Sequence, residues 1–252
     1  QMIVDGHSHI FQSDIGSAEQ YLAVLQEAGI DMGVVVPGGT VDVRRMTDYI
    51  IGRAKPSTDP PDNRYIKSAA EEADGRLIGF CCFNPYAEGA AQMLEDALRS
   101  GFRGLKLSPM SHQFSFASKA VAELAGICGD YGLPLYSHVL YNPGASTERF
   151  VSLARQFPQT NFILGHMGFG PADQDALQAA SELDNFFLET STGSYLTIKQ
   201  AVEKAGAGKV IFGGEFPLSH PQAELAKITA LDVSDDALER ILGRNILELT
   251  KS

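Results

Sequence analysis

Eight short apolar runs, each followed by residues at helical spacing, succeed one another along the chain, and this alternation constrains the fold more than any other feature. The runs are Met2 to Ile10, Met32 to Pro37, Leu77 to Pro85, Phe102 to Pro109, Leu133 to Leu140, Asn161 to Gly168, Asn185 to Ser191 and Lys209 to Pro217. They are nearly continuous in Val, Ile, Leu and Phe, as expected of parallel strands buried on both faces. Between them, sets such as Tyr21, Val24, Leu25 and Ala28, or Phe150, Leu153, Ala154 and Phe157, recur with the period of a helix. Ser17 with Gln20 has the capping-box pattern, Gly29 falls where a left-handed C-cap belongs, and Ser194 and Ser234 precede further helical runs.

Eight β-then-α units in 252 residues predict an α/β fold of the (β/α)8 TIM-barrel type, one domain over residues 2–252. A doubly wound open sheet is the alternative. No G-x-G-x-x-G follows the first strand, which removes the main signature of its dinucleotide-binding form. Val41 to Gly75, with Pro56, Pro60 and Pro61, is long for a connection and predicts an inserted loop region at about 41–75 over the barrel mouth.

Twenty basic against thirty-one acidic side chains give a net charge of -11, a field that repels phosphate backbones and anionic membranes. Nucleic acid and membrane are therefore not expected partners; a small molecule is, and a homo-oligomer remains compatible with the sequence. Cys81, Cys82 and Cys128 form neither a disulfide framework nor a metal knuckle, so buried thiols in a reducing, cytoplasmic setting are expected. No basic segment leads into an apolar stretch at the start, and no apolar run is long enough to cross a bilayer.

In a barrel of this type the active site lies at the carboxyl ends of the strands. His7 and His9 end the first run in Asp5-Gly6-His7-Ser8-His9, and strand alternation points both the same way, as two imidazoles sharing one metal must. The fifth run ends at His138, the sixth at His166 and the eighth in Gly213-Gly214-Glu215-Phe216-Pro217, while the fourth contributes Lys106. Four of the six histidines thus fall on one expected face. His112, just past the fourth run, is a weaker candidate for substrate contact, His220 reads as a solvated histidine, and Glu189 ranks below Glu215. Arg44 and Arg45 could bind a carboxylate, and Asn84 could line the pocket, although charged loop residues are usually solvated.

Taken together these motifs resemble the amidohydrolase superfamily, most closely its amidohydrolase-2 branch of metal-dependent (β/α)8 hydrolases and decarboxylases. The resemblance covers the whole chain, through Gly104-Leu105-Lys106-Leu107-Ser108-Pro109 to the tail Ile241-Leu242-Gly243-Arg244-Asn245. It implies that His7, His9 and His138 are metal ligands and that His166 binds metal or orients its water. The family normally has aspartate where this chain has Glu215, so a carboxylate is kept but lengthened by one methylene. The resemblance also gives Lys106 two readings: a carboxylated lysine bridging two ions, or a free amine that pairs with an acid or a substrate anion.

The metal set expected is therefore His7, His9, Lys106, His138, His166 and Glu215, holding one or two divalent ions, zinc foremost, with no organic cofactor. The leading functional expectation is hydrolysis of a C–N or C–O acyl bond by a metal-activated water, with Glu215 as general base and His166 orienting the water or stabilising the oxyanion. The alternatives are non-oxidative decarboxylation of an aromatic or unsaturated acid, and a non-catalytic metal-binding barrel.

Overall fold

A computed structural model describes residues 1–252. Nine parallel strand segments are present: β1 Val4–Ile10, β2 Met32–Pro37, β3 Leu77–Gly79, β4 Cys81–Cys82, β5 Leu105–Leu107, β6 Leu135–Ser137, β7 Phe162–Leu164, β8 Phe186–Glu189 and β9 Val210–Ile211. The ladders run β1-β2-β3 and β4 through β9. Two seams join them. Phe80 N donates to Val35 O at 2.9 Å and Arg103 N to Gly79 O at 2.9 Å, so β3 and β4 are one barrel strand interrupted at Phe80. On the other side Gly6 N donates to Phe212 O at 2.8 Å, Glu215 N to His7 O at 2.8 Å and His9 N to Phe216 O at 2.7 Å. The nine segments therefore close into eight barrel positions, the (β/α)8 fold that the alternation predicts.

Alternation along each strand divides the core. Val35, Leu135, Phe162 and Leu164 point outwards and join the large cluster shared with the helices. Their neighbours Val34, Val36, Tyr136 and Ile163 belong to a separate cluster inside the barrel, which Ile246 and Leu249 of the terminal helix Asn245–Thr250 also join. Lys106 lies between Leu105 and Leu107, both in the outer cluster, so its side chain is directed into the barrel interior.

Helix punctuation follows the sequence signals: Ser17 and Gln20 cap reciprocally, Gly29 is left-handed with φ 68°, and Ser194 and Ser234 accept from the first turns of their helices. The long second connection needs correction. Asn63–Glu72 is a helix, capped by Asp62 and burying Ile66 and Ala69, and it is the barrel's own helix between β2 and β3. The prolines conceal it from a reading of the sequence because they end immediately before its cap. The extra segment shortens to about 38–62, and its residues Val41, Val43, Met46, Tyr49 and Ile50 line the cavity at the mouth. No helix is long and apolar enough to cross a membrane.

Candidate metal centre and active site

The carboxyl ends of β1, β5, β6, β7 and β9 meet at one cavity, with His9, Lys106, His138, His166 and Glu215 in its lining and His7 fully buried behind them. Glu215 lies at the centre. Its Oε2 is 3.1 Å from His7 Nε2 and its Oε1 is 3.5 Å from His9 Nε2, so both imidazoles of the opening motif address one carboxylate. His7, His166 and Glu215 each offer a donor atom within 4.8 Å of the other two. His138 flanks this trio, its ring centroid 6.3 Å from that of His166. The structure thus gathers all six residues expected for the site, although the tightest triplet pairs His7 with His166 and Glu215 rather than with His9 and His138.

Unusual backbone aims these groups. His166, Thr192 and Glu215 adopt left-handed conformations with φ of 62°, 56° and 53°. Each such residue costs on the order of 1–3 kcal/mol, and clustering at one end of a barrel is typical of a functional site. Around Glu215 the conformation is held by Asp5, whose Oδ1 accepts from Gly214 N at 2.6 Å and from His7 N at 3.0 Å. Ser8 Oγ donates to Asp5 Oδ2 at 2.6 Å while accepting from Phe216 N at 3.0 Å. Asp5 therefore ties the first and last strands together beneath the site, and burial pushes its carboxyl up to about 7 despite these donors.

A second buried carboxylate braces the other side. Glu189, fully buried, accepts from Tyr136 Oη at 2.7 Å, from Ser191 Oγ at 2.9 Å and from Ser191 N. Ser191 in turn meets His166 Nδ1 through its carbonyl oxygen at 3.2 Å and its hydroxyl at 3.1 Å. A carbonyl only accepts, so His166 Nδ1 carries a proton and donates it towards Ser191. Gly165 and Gly213 have no side chain because one would occupy the space of the Tyr136 hydroxyl and the Glu189 carboxylate.

Electrostatics keep the donors in ligating form. Burial, reinforced by the Lys106 charge, holds His7 and His138 well below the usual imidazole range, so both are neutral. Burial would raise Glu215, but the proximity of His166 and His9 and the hydrogen bond with His7 outweigh it and hold the carboxyl well below its ordinary value. Lys106 is 2 % exposed, its Nζ 3.4 Å from His7 Nε2 and 4.1 Å from the centroid of the Tyr136 ring; burial brings its amine down to about 8, against the opposing pull of Glu215. His7 Nδ1 and His138 Nε2 are buried with no hydrogen-bond partner. Neutral imidazoles, an ionised carboxylate and an unpartnered nitrogen beside them are the donor set that a divalent cation satisfies.

Other sequence candidates lie elsewhere. Arg44 and Arg45 are exposed and paired with Asp42 and Asp48, outside the cavity lining. Asn84 accepts from Tyr86 N in a turn, and His220 caps the helix Pro221–Thr229. His112 ends a short helix and is not in the cavity lining, whereas Ser111 and Gln113 beside it are. Glu189, Tyr136, Ser191 and Asp5 carry more of the site than the sequence reading assigned them. The usable signal for Tyr136 was its place two residues before His138 on the same strand face.

The family model described as amidohydrolase matches residues 4–249. The chain belongs to the amidohydrolase family. No curated protein matches it. Among solved structures, this amidohydrolase is similar to a 5-carboxyvanillate decarboxylase from Sphingomonas paucimobilis at 15% identity over 99% of each chain, with TM-score 0.73. It is similar to a dihydroxybenzoic acid decarboxylase from Polaromonas sp. JS666, described with bound manganese and the inhibitor 2-nitroresorcinol, at 16% identity over 100% of this chain and 97% of the other, TM-score 0.72. A third, from Acinetobacter baumannii, is described as a probable 2-pyrone-4,6-dicarboxylic acid hydrolase with citric acid bound; it shares 15% identity over 100% of both chains, TM-score 0.70. At these identities the likeness establishes the barrel shared by the amidohydrolase and its neighbours.

Proposed function

We propose that the protein is a metal-dependent, non-oxidative decarboxylase of an aromatic or unsaturated carboxylic acid. The observation that carries this reading is the setting of Lys106. It is the one lysine in the cavity lining, no arginine joins it, and the same lining includes the apolar side chains Phe11, Cys82, Phe114 and Val139. A single cation deep in an apolar, aromatic cavity suits one carboxylate on a flat skeleton. The two neighbours named as decarboxylases of aromatic acids support the same choice.

His7, His166 and Glu215, flanked by His9 and His138, would hold the ion; mixed nitrogen and oxygen donors suit zinc and manganese alike. When bound, a divalent metal supplies a Lewis acid that polarises and orients substrate oxygens. Lys106 Nζ pairs with the substrate anion and fixes its orientation. His9, whose side chain is 25% exposed, reaches solvent in the cavity and passes a proton to Glu215 Oε1, 3.5 Å away. Glu215 delivers that proton to the carbon bearing the carboxylate. The carbon–carbon bond then breaks, its electron pair stays with the carbon skeleton, and carbon dioxide leaves with one proton consumed.

Metal-dependent hydrolysis of an amide, lactone or ester is the second reading, supported by the hydrolase neighbour and by Glu215 beside His166. There Glu215 takes a proton from water and returns it to the leaving group, with His166 orienting the water. Product analysis over a panel of aromatic and unsaturated acids, esters, lactones and amides separates the two. Carbon dioxide supports decarboxylation; a new carboxylate with an amine or alcohol supports hydrolysis; stoichiometric metal without turnover on any compound leaves a binding barrel.

A further inference from the structure

The cavity is larger than a single-ring acid needs. Its volume is about 800 Å³, towards the upper end of the roughly 300–1,000 Å³ common for pockets that enclose drug-sized ligands. Ionisable groups concentrate at its floor, at the strand ends. The rim is different. Tyr141 is 74% exposed and Phe169 48% exposed, with ring centroids 6.3 Å apart and planes inclined by 49°. Each follows a floor histidine by three residues, Tyr141 after His138 and Phe169 after His166, so short loops tie the rim pair to the reacting end. Val41, Met46 and Ile50, from the extra segment after β2, add apolar surface to the same cavity. Two large rings held open to water at the mouth of an apolar cavity are a surface built for a ligand.

We infer that the substrate is an extended acid with two rings: a carboxylate-bearing ring on the floor beside Lys106 and Glu215, and a second ring against Tyr141 and Phe169. The inference rests on the proposed decarboxylase reading for the acid at the floor. The size of the cavity and the rim pair supply the second ring. Tyr141 and Phe169 are then specificity-determining residues that select for length without touching the reacting atoms.

Isothermal titration calorimetry on the metal-loaded protein tests this with benzoate, 3-phenylbenzoate and 4-phenylbenzoate. At least one of the two biaryl acids is expected to bind roughly tenfold or more tightly than benzoate, the scale of gain that a newly buried ring provides. In a Tyr141→Ala, Phe169→Ala double variant that gain should vanish, while benzoate affinity stays within about twofold of the parent because its contacts lie at the floor. Equal affinities for all three acids, or a gain that survives the double variant, would overturn the two-ring inference and leave the floor assignment standing. Failure of all three acids to bind would overturn both.

Discussion

Tyr136 lies flat against His7, ring centroids 4.1 Å apart and planes 20° apart, and its hydroxyl donates to Glu189 Oε2 at 2.7 Å. One tyrosine thus backs a candidate ligand with its face and braces a buried carboxylate with its edge. Tyr136→Phe keeps the ring and removes the donor. Leaving a buried acceptor short of a partner costs about 1–3 kcal/mol. Urea denaturation should show a loss of that size with metal content unchanged, and a variant as stable as the parent would contradict the bracing role.

Metal binding should depend on the opening motif. Elemental analysis of the purified protein is expected to find a divalent ion, and the His7→Ala, His9→Ala double variant should lose it. His220→Ala, altering a helix cap away from the cavity, should keep it. Unchanged metal in the double variant would move the site elsewhere.

In the proposed reaction Lys106 acts as a free amine, its Nζ lying over Tyr136 and beside His7. Lys106→Met, which fills similar space, should therefore leave one ion per chain and weaken benzoate binding by roughly tenfold or more, as expected when a buried charge loses its partner. A halving of metal content from two ions to one would instead reveal a carboxylated lysine bridging two metals.

Glu215→Gln retains size and shape but removes the proton-accepting oxygen, so turnover should fall by roughly a hundredfold or more. Glu215→Asp restores the residue usual in the resembling family but shortens the reach to His7 and His9. Lower turnover with retained metal would show that the longer chain is tuned to this pocket, whereas newly acquired turnover would show that glutamate had disabled the site. A fully active Glu215→Gln protein would remove Glu215 from the chemistry.

The barrel was legible because parallel strands are buried on both faces and leave uninterrupted apolar runs. The site was legible where a histidine closed such a run, as at His138 and His166. What escaped depended on register and tertiary contact. Asp5, Tyr136 and Glu189 are polar groups within apolar runs, and only tertiary contact shows that Asp5 meets Tyr21 and Gly214 and that Tyr136 meets Glu189. The helix Asn63–Glu72 was obscured by the prolines preceding it, and the break at Phe80 leaves no mark in composition. Arg44 and Arg45 looked available for an anion because their acidic partners, Asp42 and Asp48, are engaged through side-chain geometry that sequence alone does not define.

Carbon dioxide release in heavy water tests the central claim most directly. The metal-loaded protein, incubated in deuterium oxide with ring-hydroxylated benzoates and biaryl acids, should release carbon dioxide from at least one of them and leave deuterium on the carbon that bore the carboxylate. Glu215→Gln should suppress both signals together. Hydrolysis of an ester, lactone or amide by the same preparation, with no carbon dioxide and no deuterium incorporation from any acid, would contradict the decarboxylase assignment.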